Sequence, residues 1–188
     1  MVVNNIEPTE EQQQNLDRRL SLAGYPVPIV RIGNFRPEDE FKYCFGFFNG
    51  RDRLIDEVKR SHGLEFSRLI HPAAYLGSNV RCGEGVIIGP HATLAPNCTI
   101  GDFSLINRGL SIGHDTIIGE YATIGPGANI AGMVKIGRKT TIGIGATIID
   151  GITVGSGAFV GAGSVVTRDV PDGVVVVGVP ARVLRRNE

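Results

Sequence analysis

The stretch Ile112-Gly113-His114-Asp115-Thr116-Ile117-Ile118-Gly119-Glu120-Tyr121-Ala122-Thr123-Ile124-Gly125 carries a large aliphatic residue at every sixth position, each followed by glycine. The frame runs on in both directions without slipping. Ile70, Leu76, Cys82, Ile88, Leu94, Ile100 and Ile106 precede it, and Ile130, Ile136, Ile142, Ile148, Val154, Val160 and Val166 follow. Four places after nearly every one of these stands a small or β-branched residue, as at Ala92, Ser104, Thr116, Ala128 and Ala146. A helix would need apolar residues at offsets of three, four and seven, and a plain strand at two, so a period of six is neither. It fits a short extended rung plus a turn, with a large and a small side chain both pointing inward. Three such units close a triangular coil of eighteen residues, and a short period held over so many units means a solenoid. Gly, Asn and Asp near the corners supply the backbone freedom that tight turns need. The pattern predicts a parallel β-helix. It does not fix the handedness, because the general rule favours right-handed parallel crossovers.

The rest of the chain sets bounds on this picture. A length of 188 residues allows one domain, or one and a small second. Nineteen basic and nineteen acidic residues cancel, which leaves no electrostatic footprint for nucleic acid or an anionic membrane. The apolar run Val174 to Val177 is far too short to span a bilayer, so no membrane insertion is expected. Met1-Val2-Val3-Asn4-Asn5 has neither the basic start nor the apolar core of a secretion signal, and a cytoplasmic location is expected. Cys44, Cys82 and Cys98 form no recognisable spacing; the latter two fall on inward repeat positions, where a thiol acts as a small hydrophobe. Asn97-Cys98-Thr99 matches a glycosylation pattern, which carries no weight without a secretion signal.

Before the repeats, Pro8 to Ala23 reads as a helix, with Thr9 as cap and Gly24 as stop. Val27 to Ile32 reads as a strand, followed by a loop around Asn34, Pro37 and Asp39. Phe41 to Phe48 reads as an aromatic strand broken by Asn49-Gly50. Arg51 to Ser61 has helical spacing of Leu54, Ile55 and Val58 and ends at Gly63, and Phe66 to Ile70 is a last strand. This order suggests a small α/β domain with parallel strands over residues 1–69, followed by the β-helix and a C-terminal strand and tail over 70–188.

The glycine-marked hexapeptides, Ile112-Gly113-His114-Asp115, Gly125-Pro126-Gly127-Ala128, and the ending Gly161-Ala162-Gly163-Ser164 through Gly178-Val179-Pro180-Ala181 resemble hexapeptide-repeat acyltransferases. Within that family the chain looks most like the sialic acid O-acetyltransferase and nucleotide-aminosugar N-acetyltransferase branch. The resemblance implies a mainly β, left-handed parallel β-helix, a homotrimer, and acetyl-CoA as donor with no metal. It also implies a Rossmann-like N-terminal domain, here incomplete, because no Gly-x-Gly turn precedes the first helix. The implied acceptor is a small-molecule sugar, taken at an amino or a hydroxyl group, such as a nucleotide-linked 4-amino-dideoxysugar or a sialic-acid-type sugar.

Acetyl transfer from a thioester needs a base for the acceptor, a donor for the oxyanion and a groove for the thioester. Histidine is the natural base near neutral pH. His62 ends a helix, His71 precedes Pro72 at the domain junction, and His91 has no distinctive neighbours. On residue type alone, His114 is as fit for a solvent-facing side chain as for a base. The resemblance marks Asn107 as a substrate-binding residue, His114 as the base and Asp115 as the carboxylate that raises its basicity. Adjacent side chains on a straight strand point to opposite faces, so Asp115 can serve His114 only at a corner. An eighteen-residue coil puts Gly132 directly above His114, where a backbone N–H suits the thioester carbonyl. Ile144, Ala162 and Pro180 form a second column, in which the resemblance places the pantetheine arm. Arg168, Arg182 and Arg185 are candidates for the CoA phosphates, whereas Thr123 stands where the family often has histidine. Two rivals remain: a zinc enzyme like the β-helical carbonic anhydrases, which needs three histidines at one metal, and a non-catalytic β-helix scaffold. The first is disfavoured because His114 falls far around the coil from His71 and His91, and the second leaves Asn107, His114 and Asp115 without purpose.

Overall fold

The structure is a computed structural model and describes residues 2–4, 29–31, 43–45 and 51–187. The chain divides into two compact units, Met1–Phe41 and Lys42–Glu188. In the first, Val2–Asn4 pairs in parallel with Ile29–Arg31, Val2 opposite Ile29. The strand expected over Val27 to Ile32 is present over its described residues Ile29–Arg31, and its partner was not anticipated from sequence. Of the α/β elements expected over residues 1–69, the described residues contain this pair of strands, the helix Arg51–His62 and the short strand Leu69–Ile70, and these do not amount to a Rossmann-like fold. The helix expected over Pro8 to Ala23, the loop after Ile32 and most of the aromatic strand expected over Phe41 to Phe48 lie outside them.

The second unit is a left-handed parallel β-helix. Two-residue rungs from Leu69–Ile70 to Val165–Val166 recur every six residues and stack into three parallel sheets. The register is the coil length foreseen in the sequence: Ser111 lies opposite Asn129, Ile117 opposite Lys135, and Thr123 opposite Thr141. Every sixth residue from Ile88 to Val166 points inward and is almost fully buried, packed against the small residues Ala92, Ala122, Ala128, Ala146 and Ala158. At three of the small positions that hold a polar residue, its proton finds a carbonyl fifteen residues on. Ser104 Oγ donates to Gly119 O at 2.8 Å, Thr116 Oγ1 to Ala131 O at 3.2 Å and Thr140 Oγ1 to Gly155 O at 2.6 Å. The hydroxyls thus sit in an apolar prism without the cost of an unpaired polar atom.

Each corner from the one after Leu76 to the one after Val160 turns through one residue with positive φ, the third after the inward residue, among them Asn79, Asn97, Phe103, Asp115, Tyr121, Met133 and Lys139. That conformation costs a side-chain-bearing residue about 1 kcal/mol or more. The prism offsets it with a backbone bond at the same point of successive coils, as in Asn97 N–H to Ser78 O at 2.9 Å and Met133 N–H to His114 O at 2.8 Å.

Helix α1, Arg51–His62, braces one of the three corners. Ile55 and Val58 form its buried face, and the Gly63 N–H closes its end on Lys59 O at 2.9 Å with φ +63°. At the start of α1, the Arg51 guanidinium donates to the carbonyls of Phe103, Tyr121 and Ala122 and to Thr123 Oγ1. Burial pushes its pKa down from the usual value, and these four acceptors compensate the desolvated charge. Asp52 pairs with Lys139 and Lys59 with Glu84, while Phe103 and Tyr121 stack with centroids 5.5 Å apart. Tyr121, pushed up to about 12 mainly by that burial, stays a neutral phenol. Thr123 is therefore a strut for α1.

The regular frame ends above Val166. Ile148 pairs with Val166 eighteen residues on, but Val154 bridges Val170 and Val160 pairs with Val176, sixteen residues on. The corner after Val166 is two residues short, and the Asp169 and Asp172 carboxylates take the Thr153 and Ser156 N–H groups to close it. Val174–Gly178 then turns back through Val179 and Pro180 into the antiparallel strand Ala181–Arg186, which settles the tail as extended. No helix among the described residues is long and apolar enough to cross a membrane.

Candidate active site

His114 and Asp115 sit together at a corner, the one place where adjacent residues can face each other. The corner follows the rung Ser111–Ile112 and precedes Ile117–Ile118. Asp115 adopts φ +57°, which swings its carboxylate back onto the preceding ring, and Asp115 Oδ2 lies 2.7 Å from His114 Nδ1. Its other oxygen accepts from Asn97 Nδ2 at 3.1 Å. The Asp115 carboxyl is held below the usual carboxylate range, first by His114 and then by Asn97. An ionised carboxylate only accepts, so a neutral His114 ring in this geometry carries its proton on Nδ1 and its lone pair on Nε2. Both side chains are roughly half exposed, His114 at 58% and Asp115 at 52%, so Nε2 is open to a small molecule.

Gly132 completes the corner one coil above. A Cβ built on it would lie 2.8 Å from His114 Nε2 and 2.9 Å from Cε1, so the absent side chain is what leaves room beside the basic nitrogen.

Asn107, Ile144 and Ala162 occupy the neighbouring corner. Asn107 follows the rung Leu105–Ile106, and its Oδ1 accepts from Arg108 N at 2.9 Å. Ile144 stands two coils above this corner, 63% exposed, with its carbonyl accepting from Gly163 N, the residue after Ala162. The face of Ser111, Asn129 and Thr147 separates this column from His114 and Gly132. Pro180 does not continue the column as the eighteen-residue spacing required. Because the last coil is two residues short, Gly178 takes that register over Ala162 and Pro180 lies in the hairpin turn beyond it. Arg182 is exposed on the returning strand, with Nη1 donating to Ala181 O at 2.8 Å. His71 Nδ1 accepts from Ala73 N at 3.1 Å.

Sequence reasoning passed over Asn97 and Asn79, whose amides form a ladder to Asp115. The signal was available, since Asn79, Asn97 and Asp115 are spaced by one coil.

The bacterial transferase hexapeptide (six repeats) family matches residues 97–132 and 133–168. No curated protein matches the sequence. Among solved structures, PerB from Caulobacter crescentus, in complex with CoA and GDP-perosamine, is 30% identical with a TM-score of 0.75 over 98% of this chain and 97% of that one. WeeI from Acinetobacter baumannii AYE is 26% identical with a TM-score of 0.80 over 98% and 100% of the two chains. The acetyltransferase domain of PglB from Neisseria gonorrhoeae FA1090 is 25% identical, TM-score 0.70, over 97% and 98%. With the repeat signature at its centre, and one fold and up to 30% identity along nearly its whole length, the chain belongs to the hexapeptide-repeat acyltransferases.

Proposed function

We propose that this enzyme transfers the acetyl group of acetyl-CoA to the amino group of a nucleotide-linked sugar, with His114 as general base and Asp115 as its partner. The observation that carries the reading is the His114–Asp115 pair at a corner, with Nε2 free of its own proton and facing the gap left by Gly132. Support for the substrate class comes from PerB, bound to CoA and GDP-perosamine, and from a similar structure of a GDP-perosamine N-acetyl transferase mutant from Caulobacter crescentus, also bound to CoA and GDP-perosamine.

In the proposed mechanism the neutral sugar amine attacks the thioester carbonyl. The new C–N bond forms as the carbonyl electrons move onto oxygen, where the Gly132 N–H stands as the oxyanion donor. Nε2 takes the proton that the amine sheds, and Asp115 stabilises the resulting imidazolium. Collapse of the tetrahedral adduct breaks the C–S bond, and the imidazolium returns its proton to the CoA sulfur. Acetyl-CoA lies along Ile144 and Ala162 and continues past the Pro180 turn, with Arg182 toward its phosphates. Asn107 orients the acceptor.

Within one chain the Ile144 corner and the His114 corner flank opposite edges of one sheet. We therefore assign the working enzyme as a cyclic homotrimer, in which one prism's acetyl-CoA column faces the next prism's His114. The exposed apolar side chains Ile117, Met133 and Ile149, spread along the His114 edge, suit that interface. Residues 70–188 would supply donor binding and chemistry, and residues 1–69 the choice of acceptor.

Thiol release from acetyl-CoA with a panel of nucleotide-linked aminosugars tests the activity. Transfer to at least one amine is expected, and no transfer to any amine or hydroxyl acceptor would favour a scaffold. Ala162→Trp is expected to weaken acetyl-CoA binding at least tenfold by calorimetry while sedimentation still shows a trimer; unchanged affinity would refute the placement. Gly132→Ala forces the imidazole away from its place, since the added methyl meets Nε2 and Cε1. Because a ring can swing where backbone cannot, melting should shift little while kcat falls about tenfold or more. Wild-type turnover in this variant would mean that His114 is not held against Gly132 during catalysis.

A further inference from the structure

We propose that Asn97 is a positioning residue for His114 that acts through Asp115, an inference that rests on the general-base role given to His114 above. Asn79, Asn97 and Asp115 occupy the same corner position of three successive coils, with φ of 59°, 64° and 57°. Their side chains form one directed chain. Asn79 Nδ2 donates to Asn97 Oδ1 at 3.3 Å, Asn97 Nδ2 donates to Asp115 Oδ1 at 3.1 Å, and Asp115 Oδ2 faces His114 Nδ1 at 2.7 Å.

The direction follows from the carboxylate at its end. Asp115 has no proton to give, so Asn97 must turn its NH2 toward it, which leaves the Asn97 oxygen to accept from Asn79. A half-exposed carboxylate with one partner can rotate and exchange its two oxygens. Fixing Oδ1 with Asn97 commits Oδ2 to His114, and the donated hydrogen bond favours the ionised form. The imidazole then keeps its proton on Nδ1 and its lone pair on Nε2, beside Gly132. The turn alone does not call for asparagine. Phe103, Tyr121, Met133 and Lys139 adopt the same conformation at equivalent corners, so the amides of residues 79 and 97 do something the backbone does not need.

Asn97→Gly keeps the left-handed turn and removes only the amide, so its melting temperature should stay near wild type. Imidazole nitrogen NMR on labelled protein at alkaline pH, with the His114 signals assigned by their loss in His114→Gln, reads the tautomer directly. Wild type is expected to hold the proton on Nδ1, and Asn97→Gly and Asp115→Asn are both expected to move it partly to Nε2. With acetyl-CoA and GDP-perosamine as substrates, kcat of Asn97→Gly should fall about 3- to 10-fold with KM for acetyl-CoA unchanged. Asn97→Asp, which sets a second carboxylate against the first, should fall further. In the Asp115→Asn background Asn97→Gly should add little, as expected for residues acting in series. An unchanged His114 tautomer in Asn97→Gly overturns the proposal. The spectrum decides this without any acceptor, so full turnover in a His114 variant would sink the general-base reading separately.

Discussion

Replacing His114 with alanine is expected to lower kcat about 10²- to 10⁴-fold while the Kd for acetyl-CoA stays near that of the wild type. The size follows from the chemistry. The attacking amine acquires positive charge as the C–N bond forms, and the adduct reverts unless a proton leaves. His114 offers Nε2 for that proton, and the carboxylate at 2.7 Å from Nδ1 stabilises the imidazolium that results. Acetyl-CoA affinity should change little, because in the proposed trimer the donor is held along Ile144 and Ala162 of the neighbouring prism and His114 meets only its reacting end. Asp115→Asn should cost less, since it leaves the imidazole in place and removes only its orientation and charge. Both variants are informative through kcat under saturating acetyl-CoA, with calorimetry for the Kd. Near-normal turnover in both would mean that positioning alone drives the reaction and that His114 is a surface residue.

Ile124→Ala is expected to destabilise the protein by about 2–5 kcal/mol in denaturant titrations. Ile124 is fully buried in the prism, between Ile106 below and Ile142 above, and its inward neighbours sit on backbone rungs that cannot close over a void. In a solenoid each coil is stabilised only by the coils that touch it, so a cavity weakens two interfaces at once. Ile144→Ala is the control. Its side chain is 63% exposed at a corner, and the change should stay within about 0.5 kcal/mol. A loss below about 1 kcal/mol for Ile124→Ala would contradict the placement of the inward residues.

That inward placement was the most legible part of the sequence, for a physical reason. One residue in six must fill the centre of a narrow prism, so Ile112, Ile118, Ile124 and Ile130 could not drift without leaving a hole or a clash. The same regularity made Gly132 readable as the neighbour of His114. Corners leave far less trace. They tolerate Asn, Phe, Tyr, Met and Lys alike in the left-handed turn, so the identity of Asn97 looked incidental until its bond to Asp115 was seen. Pro180 was misplaced for a related reason. Asp169-Val170-Pro171-Asp172-Gly173 reads as a turn whatever its length, and only the pairing of Val160 with Val176 shows that the coil closes two residues early. The spacing of Leu54, Ile55 and Val58 shows a helix opening at Arg51, but not that Arg51 reaches four acceptors on the prism, because a contact across more than fifty residues has no periodicity to betray it.

The most direct test of the central claim, that His114 Nε2 receives the acceptor's proton, is a crystal structure of this enzyme with CoA and a nucleotide-linked 4-aminosugar bound. The amino nitrogen is expected within hydrogen-bond reach of Nε2, about 2.6–3.2 Å, on the side left open by Gly132, with the CoA sulfur approaching from the Ile144 and Ala162 corner of a neighbouring prism. An acceptor amine bound out of reach of Nε2, against a different base or against solvent alone, would contradict it.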